Sequence, residues 1–444
     1  MGFLSTILFA IFLVLGFGYF YFNIKKIVRN INLGTAVNRK DNPKARWKNM
    51  AMIALGQSKM VKRPVAGILH IIVYAGFIII NIELLEIIID GLFGTHRIFA
   101  FLGTSYNVLI GSFEILAFLV LVSVFTFWIR RNIIRLKRFA NKDLTGFPKN
   151  DANYILYFEV VLMTLFLLMN ASDLHLQNIP GVFSHFIKAG SFPISQFIEP
   201  LFNGVSSNLV FLLNEMFWWL HIIGILIFMN YLYYSKHLHI LLAFPNTYFA
   251  DLNPKGQLSN LESVTNEVKL MMDPNADPYA TPVVDENAVP SKFGASDIQD
   301  LNWVQLMNAY TCTECGRCTS SCPANITGKK LSPRKIMMDT RDRIEEVGKN
   351  IDANNGVFVP DNKSLLNDYI TPEELWACTS CNACVEECPV NISPLSIIVD
   401  LRRYLVMEQS AAPNSLNAMM TNIENNGAPW QYNQQDRLNW KNEI

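Results

Sequence analysis

The stretches Cys312-Thr-Glu-Cys315-Gly-Arg-Cys318-Thr-Ser-Ser-Cys322-Pro323 and Cys378-Thr-Ser-Cys381-Asn-Ala-Cys384-Val-Glu-Glu-Cys388-Pro389 decide the fold. Both read C-x2-C-x2-C-x3-C-P, a spacing with which thiolates hold 4Fe–4S clusters. The chain has eight cysteines, and the two runs use all of them. Two-residue gaps let the first three thiolates of each run converge on one side of a tight loop. A structural zinc site also uses C-x2-C pairs, but it needs neither a third cysteine at that spacing nor the proline that follows.

Where two such runs share a domain, the fourth cysteine of each ligates the other run's cluster. This assigns Cys312, Cys315, Cys318 and Cys388 to one cluster, and Cys378, Cys381, Cys384 and Cys322 to the second. Crossed ligation pins the two runs together and holds the clusters within electron-tunnelling range.

The 444-residue chain divides by composition. Mean hydropathy is +0.21, and apolar residues concentrate in the first 250 positions. Five runs there approach the ~20 residues that span a bilayer: 3–23, 65–93, 106–129, 154–171 and 209–234. No basic segment precedes the first and no small-residue cleavage site follows it, so a cleaved signal peptide is not expected. Formal net charge is zero, which leaves no footprint for nucleic acid.

Lys and Arg set the orientation. The connection after the first run holds eleven of them, and the connection after the third holds seven, from Arg130 to Lys149. The other two hold only Arg97 and Lys188. The N-terminus is therefore expected outside a cytoplasmic (inner) membrane, with the cysteines in the reducing cytoplasm, where clusters rather than disulfides form.

Histidines mark a second redox centre. His221 and His239 are 18 residues apart, which on one helix is five turns, or ~27 Å along one face. His70, on the second run, matches the depth of His239, and the two are expected to be axial ligands of a b haem. His237 falls two residues off this register. His221 would serve a second, outer haem, but Ile80 stands ten residues after His70 where a partner would be needed. Its partner would have to come from His96, His175 or His185, and an interfacial role competes for each histidine. Glu83, Glu86 and Asp90 share one helix face at i, i+3, i+7. With Glu114 and Glu159 they are candidates for proton handling at a quinone; for Glu86 and Asp90 a water-facing interfacial position competes.

Residues 244–297 are rich in Pro, Asn and Asp and read as an irregular linker. A helix is expected over 298–309. Each cysteine run follows a tryptophan-bearing helix (Trp303, Trp376) and leads to Asn-Ile-Thr/Ser and a Ser-Pro helix start, at Ser332-Pro333 and Ser393-Pro394. Thr371-Pro372-Glu373-Glu374 reads as a capping box. The 55 residues between Cys322 and Cys378 favour a helical ferredoxin domain over a small β-type one. The polar segment 411–444, with Trp430 and Trp440, reads as a docking tail.

The two-domain arrangement resembles known families. Five spans with histidines on the second and fifth are similar to the gamma subunit of respiratory nitrate reductase, which binds b haems and handles quinone. Leu55-Gly56-Gln57-Ser58-Lys59, Tyr234-Ser235-Lys236-His237-Leu238-His239 and Trp303 through Cys318 resemble membrane iron–sulfur oxidoreductases related to heterodisulfide reductase. The resemblance implies electron transfer to or from quinone, with electron-transfer flavoprotein as a donor for some members. Fused relatives continue into cysteine-rich CCG domains. This chain has no cysteine left to build their cluster, so the resemblance implies a separate CCG-domain partner subunit.

The expected molecule is an all-α membrane protein, a five-helix transmembrane bundle (1–243), a linker (244–297), an α-helical dicluster ferredoxin domain (298–410) and a polar tail (411–444). The expected function is electron transfer between a cytoplasmic donor and quinone through two 4Fe–4S clusters and b haem. A haem-free anchor for a ferredoxin domain, and a quinol-linked subunit of a sulfur-compound reductase, are the alternatives. No nucleophile–base constellation or nucleotide-binding loop is present.

Overall fold

A computed structural model describes residues 3–179, 186–274 and 292–442. Among these residues there are sixteen α-helices and no β-strand, only isolated bridges. In chain order they are α1 Phe3–Ile31, α2 Pro43–Met50, α3 Pro64–Phe93, α4 Thr104–Asn132, α5 Phe147–Gln177, α6 Ser207–Tyr231, α7 His239–Tyr248 and α8 Glu262–Met272. There follow α9 Trp303–Thr311, α10 Arg317–Ser320, α11 Pro323–Ile326, α12 Pro333–Ala353, α13 Pro372–Trp376, α14 Ala383–Glu387, α15 Pro394–Met407 and α16 Asn414–Asn426.

Five helices, α1, α3, α4, α5 and α6 with its continuation to Tyr234, are long and apolar enough to cross a membrane. Their outward side chains are apolar, as at Leu15, Ile78, Phe125 and Ile227, which suits a lipid surround. Inside, Phe9, Ile110, Phe113, Phe166 and Ile222 close the bundle core. At the bundle end far from the cysteines, Glu86 and Asp90 are buried rather than water-facing. Glu86 accepts from Phe99 N (2.9 Å) and Tyr106 Oη (2.8 Å). Asp90 accepts from Arg97 N (2.7 Å) and Ile98 N (3.2 Å). The α3–α4 turn carries free backbone donors into an apolar environment, and these two carboxylates satisfy them. Arg97, itself buried, donates to Asp173 (2.6 Å) and Asn170 (3.1 Å) on α5.

The fifth span does not run on to His239. Helix α6 ends at Tyr231, a single 3-10 turn follows to Tyr234, and Ser235 is extended (φ −105, ψ 150). A second short turn leads into α7, which starts at His239. His221 and His239 therefore do not share one helix face, and the 18-residue register does not act as a ruler. The chain breaks where it leaves the apolar layer: the Ser235 hydroxyl accepts from His237 N (3.0 Å) and caps the new turn.

The cysteine-bearing part packs directly onto the bundle. Ile27 and Ile31 of α1, with Leu238 and Ala243, share one apolar core with Leu306, Tyr310, Ile344 and Leu401. Helix α1 runs on past the apolar stretch, and Asn30 Nδ2 donates to Tyr310 Oη (2.9 Å). Thr35 N donates to Leu301 O (2.8 Å), and Trp303 N donates to Thr35 O (3.1 Å). Gly34 permits this approach, since a Cβ there would stand 2.7 Å from Trp303 N. The described residues of 244–297 carry the end of α7 and the whole of α8, helical structure that the composition does not suggest. The helix expected over 298–309 starts later, at Trp303, because Asn302 and Gln305 form a capping box and Asp300 ties residues 296–297 into a turn. The capping box at Thr371 and the Ser-Pro starts at Ser332 and Ser393 are present.

Two buried ion pairs fasten the halves. Arg334 of α12 is fully buried and pairs with Asp143 in the α4–α5 connection, donating also to Arg138 O (2.8 Å). Lys236 pairs with Glu314 in the first cysteine run. Breaking a buried pair leaves an uncompensated charge, at about 3–5 kcal/mol. Arg334→Leu is therefore expected to lower the melting temperature and to expose 133–146 to limited proteolysis. An unchanged melting curve and cleavage pattern would contradict this packing.

Candidate functional site: thiols and imidazoles at the junction

The sequence repeat is also a backbone repeat. Glu314 (φ 52) and Ser380 (φ 54), and likewise Gly316 (φ 70) and Asn382 (φ 59), take left-handed conformations at matching places in the two runs. This curls each loop so that its thiols face inward. Asn at 382 is the sequence signal for it, since Asn tolerates that region. Gly316 has a further reason: a Cβ would stand 2.7 Å from Arg334 Nη1 and 3.0 Å from Arg138 O.

The folding brings the fourth cysteine of each run to the other run. Cys388 joins Cys312, Cys315 and Cys318 around a cavity of ≈ 20 Å³, which Cys384 also borders. Burial, with the neighbouring Cys315, pushes the Cys388 thiol up to about 11. On the other side, burial and the proximity of Cys378 and Cys322 push the Cys384 thiol up to about 12. None of the eight is in a disulfide. Among the described residues no three ligating side chains converge on a point that would hold a single metal ion. Thiols ringed around a cavity suit a polynuclear cluster. Backbone N–H groups of Ser380 and Ile392 point at Cys378 Sγ (3.4 Å) and Cys388 Sγ (3.3 Å), bonds of the kind that tune a cluster's potential.

The two groups differ in surroundings. Each has two buried thiols, Cys312 and Cys388 in one and Cys322 and Cys384 in the other, and the second also has the exposed Cys381. Basic residues of the bundle's connections, joined by Arg317 of the first run, surround the group of Cys312 and Cys388. Arg317 Nη1 donates to Lys59 O (3.2 Å), Lys59 Nζ donates to Val385 O (3.1 Å), and Arg138 lies beside Cys315. The lysines and arginines of these connections orient the chain in the sequence, and they also line the site; their second role carries no sequence signal. The stretch from Leu55 to Lys59 thus lies against the cysteine runs. Glu314 sits between Lys236 and Arg341 (2.7 Å). Burial opposes its charge, yet these two cations hold its carboxyl below the usual range.

Three imidazoles gather next to this group. The rings of His237 and His239 are 5.3 Å apart, His70 interacts with His239, and Arg317 faces His70. His239 Nδ1 donates to Lys236 O (3.0 Å), which leaves the Nε2 lone pair free. A backbone bond at one ring nitrogen is the usual support for metal ligation at the other. Burial keeps the His239 imidazole below its ordinary range and so neutral. His70 Nδ1 is buried without a partner. These two imidazoles are the residues that could hold a haem, and His237 also faces both of them. His221 is elsewhere, on α6, with Nδ1 donating to Leu162 O (3.1 Å). Ile80 faces it across a cavity. His96 is engaged by Asp173 (3.3 Å) and His175 by Glu199 (2.5 Å) at the far end. His185 lies outside the described residues. Among the described residues no second imidazole lies opposite His221.

Residues 311–392 match the family model of the 4Fe-4S dicluster domain. The chain is 30% identical to a probable iron-sulfur-binding oxidoreductase, FadF, of Bacillus subtilis, over 100% of this chain and 62% of that protein. It is 24% identical to an EtfAB:quinone oxidoreductase of Syntrophomonas wolfei, over 92% of this chain and 55% of that protein. A component of the dihydromethanophenazine:CoB–CoM heterodisulfide reductase of Methanosarcina mazei is 29% identical over 34% of this chain and 36% of that component. The chain thus spans about three fifths or less of these relatives' lengths. No solved structure matches it. The chain is therefore a relative of the iron–sulfur oxidoreductases linked to heterodisulfide reductase, with a 4Fe-4S dicluster domain behind a bundle of five apolar helices.

Proposed function

We propose that this chain is a membrane electron-transfer subunit that passes electrons between a cytoplasmic donor and the quinone pool. Its main support is a line of sites: the group that includes exposed Cys381, then the group around Cys312 and Cys388 that the bundle's connections reach, then His70 and His239. In this reading Cys378, Cys381, Cys384 and Cys322 hold the cluster that meets the donor. Cys312, Cys315, Cys318 and Cys388 hold the cluster facing the membrane. His70 and His239 hold one b haem. Clusters and haem supply one-electron chemistry when bound; the chain spaces them, shields them and sets the charge around them. The N-terminus lies outside the inner membrane and the cluster domain in the cytoplasm, as the Lys and Arg distribution favours.

The relatives suggest the partners. An EtfAB:quinone oxidoreductase among them supports electron-transfer flavoprotein as donor and quinone as acceptor. A heterodisulfide reductase component among them supports a cysteine-rich CCG-domain partner. It also favours a second reading, quinol-linked reduction of a sulfur compound, which identification of the co-purifying partner would separate from the first.

Crossed ligation has a specific test. Cys388→Ser should perturb the cluster held by the first run, and Cys322→Ser the cluster held by the second, as read by EPR of the reduced protein. If each substitution instead perturbs the cluster of its own run, the assignment is wrong. For the haem, His239→Ala should abolish the b-type optical spectrum while iron–sulfur iron is retained. His237→Ala, lying beside that ligand, should shift the spectrum or potential without removing haem. Loss of haem in His237→Ala with retention in His239→Ala would contradict the ligand choice.

A further inference from the structure

Helices α3, α4, α5 and α6 leave a cavity of ≈ 90 Å³ inside the bundle. Gly76, Ile80, Glu83, Glu159, His221 and Phe228 line it. Glu83 is 3% exposed, and its Oε2 has no hydrogen-bond partner. Glu159 makes no hydrogen bond or ion pair among the described residues. A polar group buried without a partner in an apolar layer is costly, and buried Glu83 with half-buried Glu159 beside the same cavity points to a polar ligand there. His221 is 4% exposed. Because its Nδ1 donates to Leu162 O, its Nε2 can only accept. The cavity borders the bundle's outer surface at Phe77, which is 40% exposed, so a lipid-soluble ligand can enter sideways. On its inner side Phe228 contacts the His237 ring at 5.7 Å between centroids, which brings the cavity next to the imidazole cluster.

We infer that this cavity binds the quinone headgroup, with Glu83 and Glu159 supplying protons and His221 Nε2 accepting a hydrogen bond from a quinol hydroxyl. The inference rests on the quinone-linked reading above and locates its site. Quinone reduction converts two C=O groups into two C–OH groups. The two electrons would come one at a time from the one-electron centres that the cysteines and the His70–His239 pair would hold, on the side where Phe228 meets His237, and two protons leave the two carboxyl groups. The resulting carboxylates regain protons from water; in quinol oxidation every transfer reverses. The next turns of α3 carry Glu86 and Asp90, whose network reaches Arg97 and half-buried His96, and this gives the protons an exit at the far end.

The test uses purified full-length protein in nanodiscs, with menadione as the quinone. Met163→Trp, on the cavity wall, should weaken equilibrium binding of menadione by about tenfold or more with the haem spectrum and iron content unchanged. Glu83→Gln keeps shape and should bind menadione but slow its reduction by the dithionite-reduced protein by about tenfold. It decides the matter if the tryptophan variant does not fold. Menadione bound and reduced by both variants as by wild type would overturn the site while leaving the quinone-linked reading intact. A His221→Ala variant that loses haem would also overturn it, because the cavity would then be a haem site. Wild-type protein that binds no menadione would sink the quinone-linked reading and this site together.

Discussion

The structure depends on the buried contact between Lys236 and Glu314. Lys236 follows the last apolar helix by a few residues, and Glu314 lies between two cysteines of the first run. Lys236 N also donates to Asp151 at the start of α5 (3.1 Å), and Arg341 of α12 closes the group from the other side. One pair thus fixes the end of the fifth span, the start of the fourth and the first cysteine loop together. Charges taken out of water in this way contribute little net stability, but they penalise any arrangement that separates them. For the electron transfer proposed above this is the useful property, because packing and not a tether sets the distance between thiols and imidazoles.

Other features follow from that junction. The short turns after Tyr231 present His237, His239 and Lys236 to the cysteine runs in place of continuing a straight helix. The basic connections that face the cysteine side bring Arg138 and Lys59 to the buried thiols, where Arg317 joins them. Positive charge there favours an anionic cluster and adds to the effect of N–H bonds on its sulfurs. The outer group, with exposed Cys381, is open to a partner.

Much of this is legible in the residues. The two cysteine runs specify their own chemistry, and apolar runs of bilayer length locate all five spans. Ser-Pro and Thr-Pro-Glu-Glu helix starts are readable because capping is a local interaction. The histidine register is not readable in the same way. It requires an unbroken helix through Ser235, and the extended backbone there is set by contacts to Asp151 and Glu314, both distant in sequence. Proximity of His70 to His239 holds for a different reason than helical phase. Glu86 and Asp90 look like interfacial acids in the sequence because their partners are backbone N–H groups of a turn, invisible in a side-chain pattern. The left-handed residues of the cysteine loops carry only a faint signal, in Gly316 and Asn382.

The proposed line of redox centres ends on one imidazole pair, His70 of α3 and His239 of α7, at the cysteine-side end of the bundle. Haem and non-haem iron per chain in the purified protein, with a reduced-minus-oxidised optical spectrum, test it most directly. One b haem and about eight non-haem irons per chain are expected. Full iron–sulfur iron with no haem would contradict it, leaving a membrane-tethered ferredoxin with no route into the bilayer through His70 and His239.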